Sequence, residues 1–318
     1  MLKMETVLKI PAIATVGTLE SNHIQTILTF HQPQIIEHMA FIPIESQRID
    51  ESLLDTIGLI EEFKLEQDLI ITEGLGGYDN AQYLNKSGKT VIVPPGTHLK
   101  GGHQNRGNNF TEVLEDSTNR KIDVNCFEPS RGHGDTDHFL SFEDAPADVI
   151  KTTMTDRQGY NGSWDNIAKY TSLIEGHNRA LTAFNDATES ERMKYALNFE
   201  TMCGQTGYAI ITEEMSLLEI FPTPNTFNIY RERVLRGKVA SLFYRLMKEE
   251  EKVILPSTVE KKLNGILKVT EKAIDTTVEK GEVKQNLRYY RHRQNNIGVD
   301  TIITSQMPQQ IAYVCGVW

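Results

Sequence analysis

Short apolar segments separated by polar residues and prolines dominate the first half of the chain. They are rich in Ile, Leu, Val, Phe and Thr, a composition typical of β-strands. The clearest of these segments are residues 26–30, 39–44, 69–72 and 90–93. Because turn residues rather than helical segments connect them, the pattern favours antiparallel pairing over a doubly wound parallel sheet.

Two segments depart from this strand pattern. Residues 51–62 follow Asp50, a favourable N-cap residue, and repeat apolar residues at helical spacing, so a helix is predicted there. Residues 129–162 are polar and show little apolar periodicity. A segment longer than about 15 residues without a clear element predicts a functional or mobile loop.

Helical periodicity dominates the second half of the chain. A helix is expected to begin near Ser163, and apolar residues recur at helical spacing through residues 227–247. A further helix is expected to start at Ser257, which forms a capping-box pair with Glu260. One strand-like piece near residues 207–221 interrupts this helical region.

The chain shows no internal repeat and no low-complexity linker, so residues 1–318 are expected to form a single domain. The predicted class is α+β, with an antiparallel, sandwich-like β core in the N-terminal half, residues 1–150. Residues 151–318 are predicted to be mostly helical, and their helices are expected to pack against that core.

Composition and charge narrow the class of partner. The formal net charge is -10 at pH 7, which argues against a protein that binds nucleic acid mainly through its phosphates. Three cysteines without CxxC spacing suggest buried thiols in a reducing compartment rather than disulfides or a zinc site. No apolar stretch reaches the ~18 residues of a membrane span and no secretory signal is recognisable, so a cytoplasmic protein without a membrane partner is expected.

A run of polar residues beyond the segment 90–93 is the first candidate site. Gln104 and Asn105 each offer two amide donors and a carbonyl acceptor, and Arg106 offers a planar fork suited to carboxylate or phosphate. The preceding Gly101–Gly102 pair would let the backbone approach a ligand closely. The alternative interpretation is a loop whose buried amides tie strands together.

Glu128 and Arg131 follow the next strand-like segment, residues 122–126, in which apolar and polar residues alternate. Glu128 could act as a general base or bind a metal, and Arg131 could clamp an anion. A simple ion pair between the two is the alternative, and exposed pairs of this kind contribute only about 0–1 kcal/mol. A role in the candidate site requires that both face the loop that contains Gln104.

Three further segments carry weaker signals. Residues 133–138 contain two histidines and two aspartates, but their flanks do not fit the metal motif of metallo-β-lactamase-like hydrolases. No metal is therefore assigned and the cofactor is unknown, with a metal-dependent hydrolase at this segment as an alternative. Residues 288–293 interleave basic and aromatic residues as single-strand binders do, although a solvated helix end or an oligomer contact fits an acidic chain better. Residues 74–77 predict a hairpin turn rather than a phosphate loop.

These segments together resemble the family of ARG and rhodanese-phosphatase-superfamily-associated protein domains, in which ARG stands for ADP-ribosylglycohydrolase. The matching pieces occur in the family's order and span most of the chain. They are Glu73, Gly101–Arg106, Ile122–Gly132, Asn161–Trp164, Gly207 and Glu219–Phe221. The chain departs from the family pattern at Ser130, Gly132 and Asn161, where the family has Gly, Trp and Gln. The resemblance implies a nucleotide or ADP-ribose-like ligand, and it adds Glu73 and Trp164 to the ligand-binding residues.

The leading expectation is a protein that binds or processes a small phosphorylated ligand of nucleotide or ADP-ribose type. Gln104 and Asn105 would hydrogen-bond the ligand, while Arg106 would clamp its anion together with Arg131. Glu128 would act as the catalytic base or as a metal ligand. The alternative is a non-catalytic binding or assembly module, in which the polar cluster is structural and the protein forms a homo-oligomer. The chain carries no recognisable nucleophile motif or P-loop, so its status as an enzyme is left open.

Overall fold

The strands of the protein form three sheets, and the helices pack against them. The computed structural model describes residues 8–9, 15–20, 25–46, 55–74, 79–129, 134, 136–155, 160–174, 180–248, 253–275, 279–283, 287–294, 296–304 and 311–318. Within these ranges, every helix is too short or too polar to cross a membrane.

Fourteen described strands and one 3₁₀ helix precede the first α-helix. The strands are β1 (Leu8–Lys9), β2 (Thr15–Glu20), β3 (Gln25–Phe30), β4 (Gln34–Ile36), β5 (Met39–Ser46), β6 (Ile57–Leu59), β7 (Leu69–Glu73), β8 (Asn80–Asn85), β9 (Thr90–Val93), β10 (Thr97–Gly101), β11 (Arg106–Asn108), β12 (Glu112–Leu114), β13 (Asn119–Cys126) and β14 (Phe139–Asp144). The 3₁₀ helix covers Ile60–Glu62.

Helices and six further strands make up the rest of the described chain. The first three helices are α1 (Ala147–Thr155), α2 (Tyr160–Thr171) and α3 (Leu181–Ala196). They are followed by β15 (Gly207–Ile211), β16 (Ser216–Ile220), α4 (Pro224–Met247) and α5 (Pro256–Asp275). The remaining strands are β17 (Glu279–Val283), β18 (Leu287–Gln294), β19 (Ile297–Thr304) and β20 (Ile311–Val317).

The largest sheet joins strands that lie far apart in sequence. Its eleven described strands pair antiparallel in the order β1-β4-β5-β15-β16-β20-β19-β18-β17, and the β2–β3 hairpin attaches to β5 through β3. The central hairpin of β15 and β16 confirms the strand predicted near residues 207–221. The four strands after α5 were not predicted, so the description of residues 151–318 as mostly helical is incomplete.

Both faces of this sheet are buried, which explains why its central strands are continuously apolar. Tyr208 and Ile210 pack in one hydrophobic cluster with residues of α1–α4. Ala209 and Ile211 point to the other face and pack in a second cluster with Val259 and other residues of α5. Successive side chains of a strand alternate between the two faces of a sheet, so burial on both sides requires apolar residues at every position.

The other two sheets share a third hydrophobic cluster and form the sandwich-like part of the protein. One sheet has the order β14-β10-β11-β13-β8-β7 and the other the order β12-β9-β6. Ile71, Tyr83 and Leu99 from the first pack with Val91 and Leu114 from the second. Pairing is antiparallel except between β6 and β9, which are parallel. The α+β class and the antiparallel, sandwich-like core are therefore confirmed.

The helix predicted over residues 51–62 is wrong in its described part. Residues 57–59 form β6 and residues 60–62 form the 3₁₀ helix, while Asp50 lies outside the described residues. Ile57 packs in the cluster that contains α1–α4, whereas Ile60 packs in the cluster between the smaller sheets. Two separate cores thus produce an apolar spacing that imitates one face of a helix.

The long loop predicted over residues 129–162 is also wrong. This segment contains β14, α1 and the first residues of α2, which begins at Tyr160 rather than near Ser163. The strand escaped recognition because Phe139 is buried whereas the following Leu140 and Ser141 are exposed. Two smaller predictions also need adjustment: α5 begins at Pro256, so Ser257 lies in its first turn, and residues 75–78 of the expected hairpin turn lie outside the described residues.

Helix α4 lies against β14 and the 3₁₀ helix, and buried ion pairs hold it there. Arg233 Nη2 lies 2.6 Å from Glu61 Oε1 of the 3₁₀ helix. Lys238 Nζ donates a hydrogen bond to Asp144 Oδ2 at the end of β14, and both side chains are at least 99 % buried. A Cβ atom on Gly237 would lie 2.6 Å from the Asp144 carbonyl oxygen, so only glycine permits this close approach of helix and strand.

Replacing Lys238 by methionine tests the ion pair. Lys238→Met removes the charge that compensates buried Asp144, so the free energy of unfolding should fall by about 3–5 kcal/mol in urea denaturation. Adding Asp144→Asn removes the remaining charge, and the double variant should recover most of that loss. A loss below about 1 kcal/mol in the single variant would mean that the pair does not hold α4 in place.

Candidate functional site

Strands β10, β11 and β13 bring the predicted site residues together. Arg106 at the start of β11 lies opposite Leu99 of β10 on one side and Cys126 of β13 on the other. The connection between β10 and β11 turns through Gly101 and Gly102, whose φ angles are 120° and 58°. A Cβ atom on Gly102 would lie 2.6 Å from Glu73 Oε1, so the glycine lets this turn approach the end of β7.

Arg106 is fully buried, and its guanidinium is held from two sides. Nη2 lies 3.2 Å from Glu73 Oε2, and Nη1 donates a 2.9 Å hydrogen bond to Gln104 Oε1. Glu73 is only 9 % exposed, so this is a buried ion pair rather than a surface pair. The arrangement places the arginine fork on protein groups instead of presenting it to solvent.

The second oxygen of Glu73 organises the turn that carries Gln104. Glu73 Oε1 accepts backbone hydrogen bonds from His103 at 2.8 Å and from Gln104 at 3.2 Å. Gln104 Oε1 also accepts a hydrogen bond from the Cys126 thiol, with a distance of 3.2 Å between sulfur and oxygen. Burial raises the pKa of the Cys126 thiol, which therefore stays protonated and able to donate.

Asn105 and Glu128 connect the same turn to β13 and to α3. The Asn105 backbone amide donates to Glu128 Oε2 at 3.2 Å. The Asn105 side chain accepts a 3.0 Å hydrogen bond from the Gly101 amide and donates a 3.2 Å hydrogen bond to Thr182 Oγ1 in the first turn of α3. One asparagine thus fixes both the shape of the turn and the position of the helix.

Trp164 belongs to the same assembly, and Arg131 lies outside the described residues. The Trp164 indole nitrogen donates a 2.9 Å hydrogen bond to the Cys126 carbonyl and so ties α2 to the end of β13. The structure therefore brings Glu73, Gln104, Asn105, Arg106, Glu128 and Trp164 into one buried network. The described bonds of this network link strands β7, β11 and β13 to helices α2 and α3.

The two other candidate segments take different places. Among the described residues, no group of three His, Cys, Asp or Glu side chains could hold a metal ion, and His133 and Asp135 lie outside them. Residues 288–293 belong to β18 and not to a helix end. Arg291 and Arg293 stack on the Phe110 ring at 4.6 and 4.5 Å, and Arg293 Nη2 lies 2.7 Å from Asp300 Oδ1. These two arginines therefore join the large sheet to the segment between β11 and β12.

A cavity of about 340 Å³ lies between β10, β14, α3 and α4, next to this network. Four cationic and four carboxylate side chains line it. The charge of a ligand that it could bind therefore depends on which of these side chains already form ion pairs. Two of the lining residues pair with residues outside the lining: Arg233 with Glu61, and Asp144 with Lys238. The other paired lining residues are Lys100 with Glu143 at 2.6 Å, and Arg236 with Glu189 at 2.9 Å.

Arg192 is a buried cation of the cavity that forms no direct ion pair with a carboxylate among the described residues, although the charges of Glu143, Glu189 and Asp186 act on it through space. Its side chain donates to three neutral oxygens, Thr188 Oγ1 at 2.9 Å, the Arg236 carbonyl at 2.6 Å and the Asn185 carbonyl at 2.9 Å. Within the described chain, no carboxylate oxygen lies within 4.0 Å of its guanidinium. Burial lowers the pKa of Arg192 to about 10, so it remains a cation at neutral pH. The fourth lining carboxylate, Asp186, is 71 % exposed, and its Oδ1 lies 4.0 Å from Lys100 Nζ.

Sequence reasoning missed this cavity because its residues lie in segments that carried no motif. Glu143 lies in the strand mistaken for a loop, and Lys100 immediately precedes the glycine pair. The available signal was the spacing of Asn185, Glu189 and Arg192, which places polar residues on one face of α3. The same spacing is common on helices exposed to solvent. It indicates a cavity only once β10 and β14 are known to lie next to α3.

Replacing Glu73 by glutamine tests the buried network. Glu73→Gln removes the negative charge bonded to Arg106 and should lower the free energy of unfolding by about 3 kcal/mol in urea denaturation. Glu66→Gln is the matched control, because Glu66 and its partner His138 are 40 % and 37 % exposed and such pairs contribute about 0–1 kcal/mol. Equal losses in the two variants would contradict a special role of the Glu73–Arg106 pair.

His98 should make folding stability depend on pH. Burial lowers its pKa from 6.5 to about 4, and its ring packs against Phe127 at 5.3 Å. Its contribution is fully present above pH 6.5 and is lost as the pH falls toward 4, because the unfolded chain then binds a proton that the folded protein excludes. When the pH is lowered from 7 to 4.5, the free energy of unfolding of the parent protein should fall. The fall should be about 2 kcal/mol smaller in the His98→Gln variant. Parallel pH profiles of the two proteins in urea titrations would show that His98 is not the titrating group.

One of the comparisons with known proteins, that with protein families, gave a match. The sequence model of the family described as ARG and Rhodanese-Phosphatase-superfamily-associated Protein domain matches residues 27–313. Comparisons with curated proteins and with solved structures gave no match. The matched range covers every residue of the buried network and of the adjacent cavity. The chain therefore belongs to the family of ARG and Rhodanese-Phosphatase-superfamily-associated Protein domains.

Proposed function

We propose that the protein binds a small phosphorylated ligand of nucleotide or ADP-ribose type in the cavity between β10, β14, α3 and α4. The observation that carries this proposal is the buried guanidinium of Arg192, which lines the cavity without a carboxylate partner in the described chain. A buried cation is costly unless a charge of opposite sign accompanies it. A phosphate group would supply that charge and would match the fork of the arginine.

The size and the remaining polar groups of the cavity support the same ligand class. A volume of about 340 Å³ lies in the range of small-molecule sites. Arg236 is one third exposed and lies at the accessible side, where it could exchange Glu189 for a phosphate oxygen. Lys100 adds a second mobile cation. The association of the family name with ADP-ribosylglycohydrolase is consistent with a nucleotide-type ligand.

In this proposal the motif residues support the binding site instead of touching the ligand. Asn105 holds Thr182 in the first turn of α3, one turn before Asn185 and three turns before Arg192. Glu73 and Arg106 fix the turn that directly follows Lys100. The buried network would thus set the distance between the two walls of the cavity. Glu128 and Trp164 anchor that turn and β13.

A second candidate function is a non-catalytic assembly module that forms a homo-oligomer. The burial of Arg106 favours it, since its guanidinium is paired with Glu73 and Gln104 instead of being presented to the cavity. Two exposed apolar side chains beyond α3, Leu197 at 73 % and Met202 at 42 % exposure, would then belong to a contact between copies. This candidate leaves the unpartnered charge of Arg192 without a role, so ligand binding is the stronger proposal.

Ligand-dependent thermal stability tests the proposal. The parent protein and the Arg192→Gln variant are each heated with ADP-ribose, AMP, ADP or inorganic phosphate. A ligand present at 100 times its Kd should add about 2.7 kcal/mol to the free energy of unfolding. The shift should disappear in Arg192→Gln and persist in Arg231→Gln, a matched control whose side chain lies on another cavity beside Thr201.

Arg236→Gln provides a second test in case Arg192→Gln folds poorly, because its side chain is more exposed. It should weaken the response to phosphorylated ligands without a large loss of stability. No shift with any of these compounds in the parent protein would overturn the proposal, and a concentration-dependent oligomer in analytical ultracentrifugation would then support the assembly module.

A further inference from the structure

Glu143 lies in the wall of the same cavity and retains hydrogen-bonding capacity. Lys100 Nζ donates to its Oε1 at 2.6 Å, and Asn185 Nδ2 donates to its Oε2 at 2.5 Å. The Glu143 side chain is 28 % exposed, and it lines the cavity. A carboxylate offers about four acceptor positions, so these two donors leave acceptor positions on each oxygen.

Glu143 is ionised at neutral pH, so it can only accept hydrogen bonds. Burial alone would raise its pKa, but the charges of protonated His98 and of Lys100, with the bonds from Lys100 and Asn185, bring the pKa below its ordinary value. His98 itself is neutral at pH 7 because burial lowers its pKa to about 4. Lys100 is therefore the nearby cation, and it is already bonded to the carboxylate.

Asn185 provides a further acceptor beside this carboxylate. Its side chain is 97 % buried, and its Oδ1 atom has no hydrogen-bond partner in the described part of the chain, although Nδ2 is used by Glu143. A buried carbonyl oxygen without a donor costs about 1–3 kcal/mol. Glu143 thus forms a wall of accessible acceptors in the cavity, whereas Asn185 Oδ1 has almost no accessible surface and Asn185 acts mainly by holding Glu143 Oε2 in place.

The donors that fit this wall are neutral hydroxyl groups. A second anionic group would be repelled by Glu143, and an ammonium group would be repelled by Lys100 at 2.6 Å from the carboxylate. Two hydroxyls on adjacent carbons can donate to the two oxygens of one carboxylate at the same time. Arg192 and Arg236, which line the same cavity, have the complementary preference for an anion.

We infer that the ligand of this cavity is a phosphorylated sugar whose vicinal hydroxyls donate to Glu143 and whose phosphate is bound by Arg192 and Arg236. This inference rests on the proposed function and adds the substrate class to it. Glu143 then determines specificity, because a ligand without the diol leaves the acceptor positions of its carboxylate unpaired once the ligand covers them, and Asn185 positions that carboxylate. Asp186 is not part of this recognition, since it is 71 % exposed.

Matched pairs of ligands test the inference by titration calorimetry on the full chain. Ribose 5-phosphate is compared with 2-deoxyribose 5-phosphate, AMP with 2′-deoxy-AMP, and inorganic phosphate serves as the reference. The ribose compound of each pair should bind at least tenfold more tightly than its deoxy partner. Glu143→Gln should reduce this ratio to within twofold while phosphate still binds, whereas Asp186→Asn, which removes a charge from the same cavity, should retain the ratio.

The outcomes separate the inference from the proposed function. Equal affinities for the ribose and deoxyribose compounds in the parent protein would overturn the diol while leaving phosphate binding intact. A tenfold ratio that survives in Glu143→Gln would place the diol elsewhere and also overturn the inference. If no compound of either pair binds, and phosphate does not bind, the proposed function fails together with it.

Discussion

The structure depends on how it compensates the buried positive charges of α4. Arg233 and Lys238 lie five residues apart on a helix that is packed on several sides, and their partners Glu61 and Asp144 come from the 3₁₀ helix and from β14. A buried charge is tolerated only when its partner is in place, so these pairs determine the position of α4 relative to the smaller sheets. The same helix packs on the large sheet through Phe227 and the first hydrophobic cluster. The cavity exists where these layers meet.

The buried network around Arg106 acts on the opposite wall of that cavity. It ties the turn after β10 to α3 through Asn105 and to α2 and β13 through the residues around Cys126. A buried network with this many internal hydrogen bonds restricts the geometry, because a displacement leaves a buried donor or acceptor without its partner. A sequence motif of amides and a guanidinium is therefore as informative about a rigid scaffold as about a ligand. Rigid support of this kind is what a selective small-molecule site requires.

Much of the fold could be predicted from the sequence, and the failures have physical causes. Segments with one buried face or two, such as β5 and β15, were recognisable from apolar composition alone. Strand β18 was not, because Arg291 and Arg293 occupy one of its faces, stacked on Phe110, which lies far away in sequence, and paired with Asp300 of the neighbouring strand β19. The motif around Arg106 was found, but its burial was not foreseeable, since Glu73 lies 33 residues earlier. Arg192 could not be identified, because what distinguishes it is visible only in three dimensions: among the described residues its buried guanidinium donates to neutral oxygens and forms no direct ion pair.

The order of strands in the large sheet has a consequence for how the chain reaches its native state. Strand β5 pairs with β15, and β16 pairs with β20, so neighbours in the sheet are separated by more than ninety residues along the chain. Closing such long loops costs entropy before any contact compensates for it, and folding dominated by distant pairing is slow. Neither the strands before α1 nor those after α5 can complete this sheet alone. Until the two sets meet at the β15–β16 hairpin, each presents an unpaired edge that is open to intermolecular pairing.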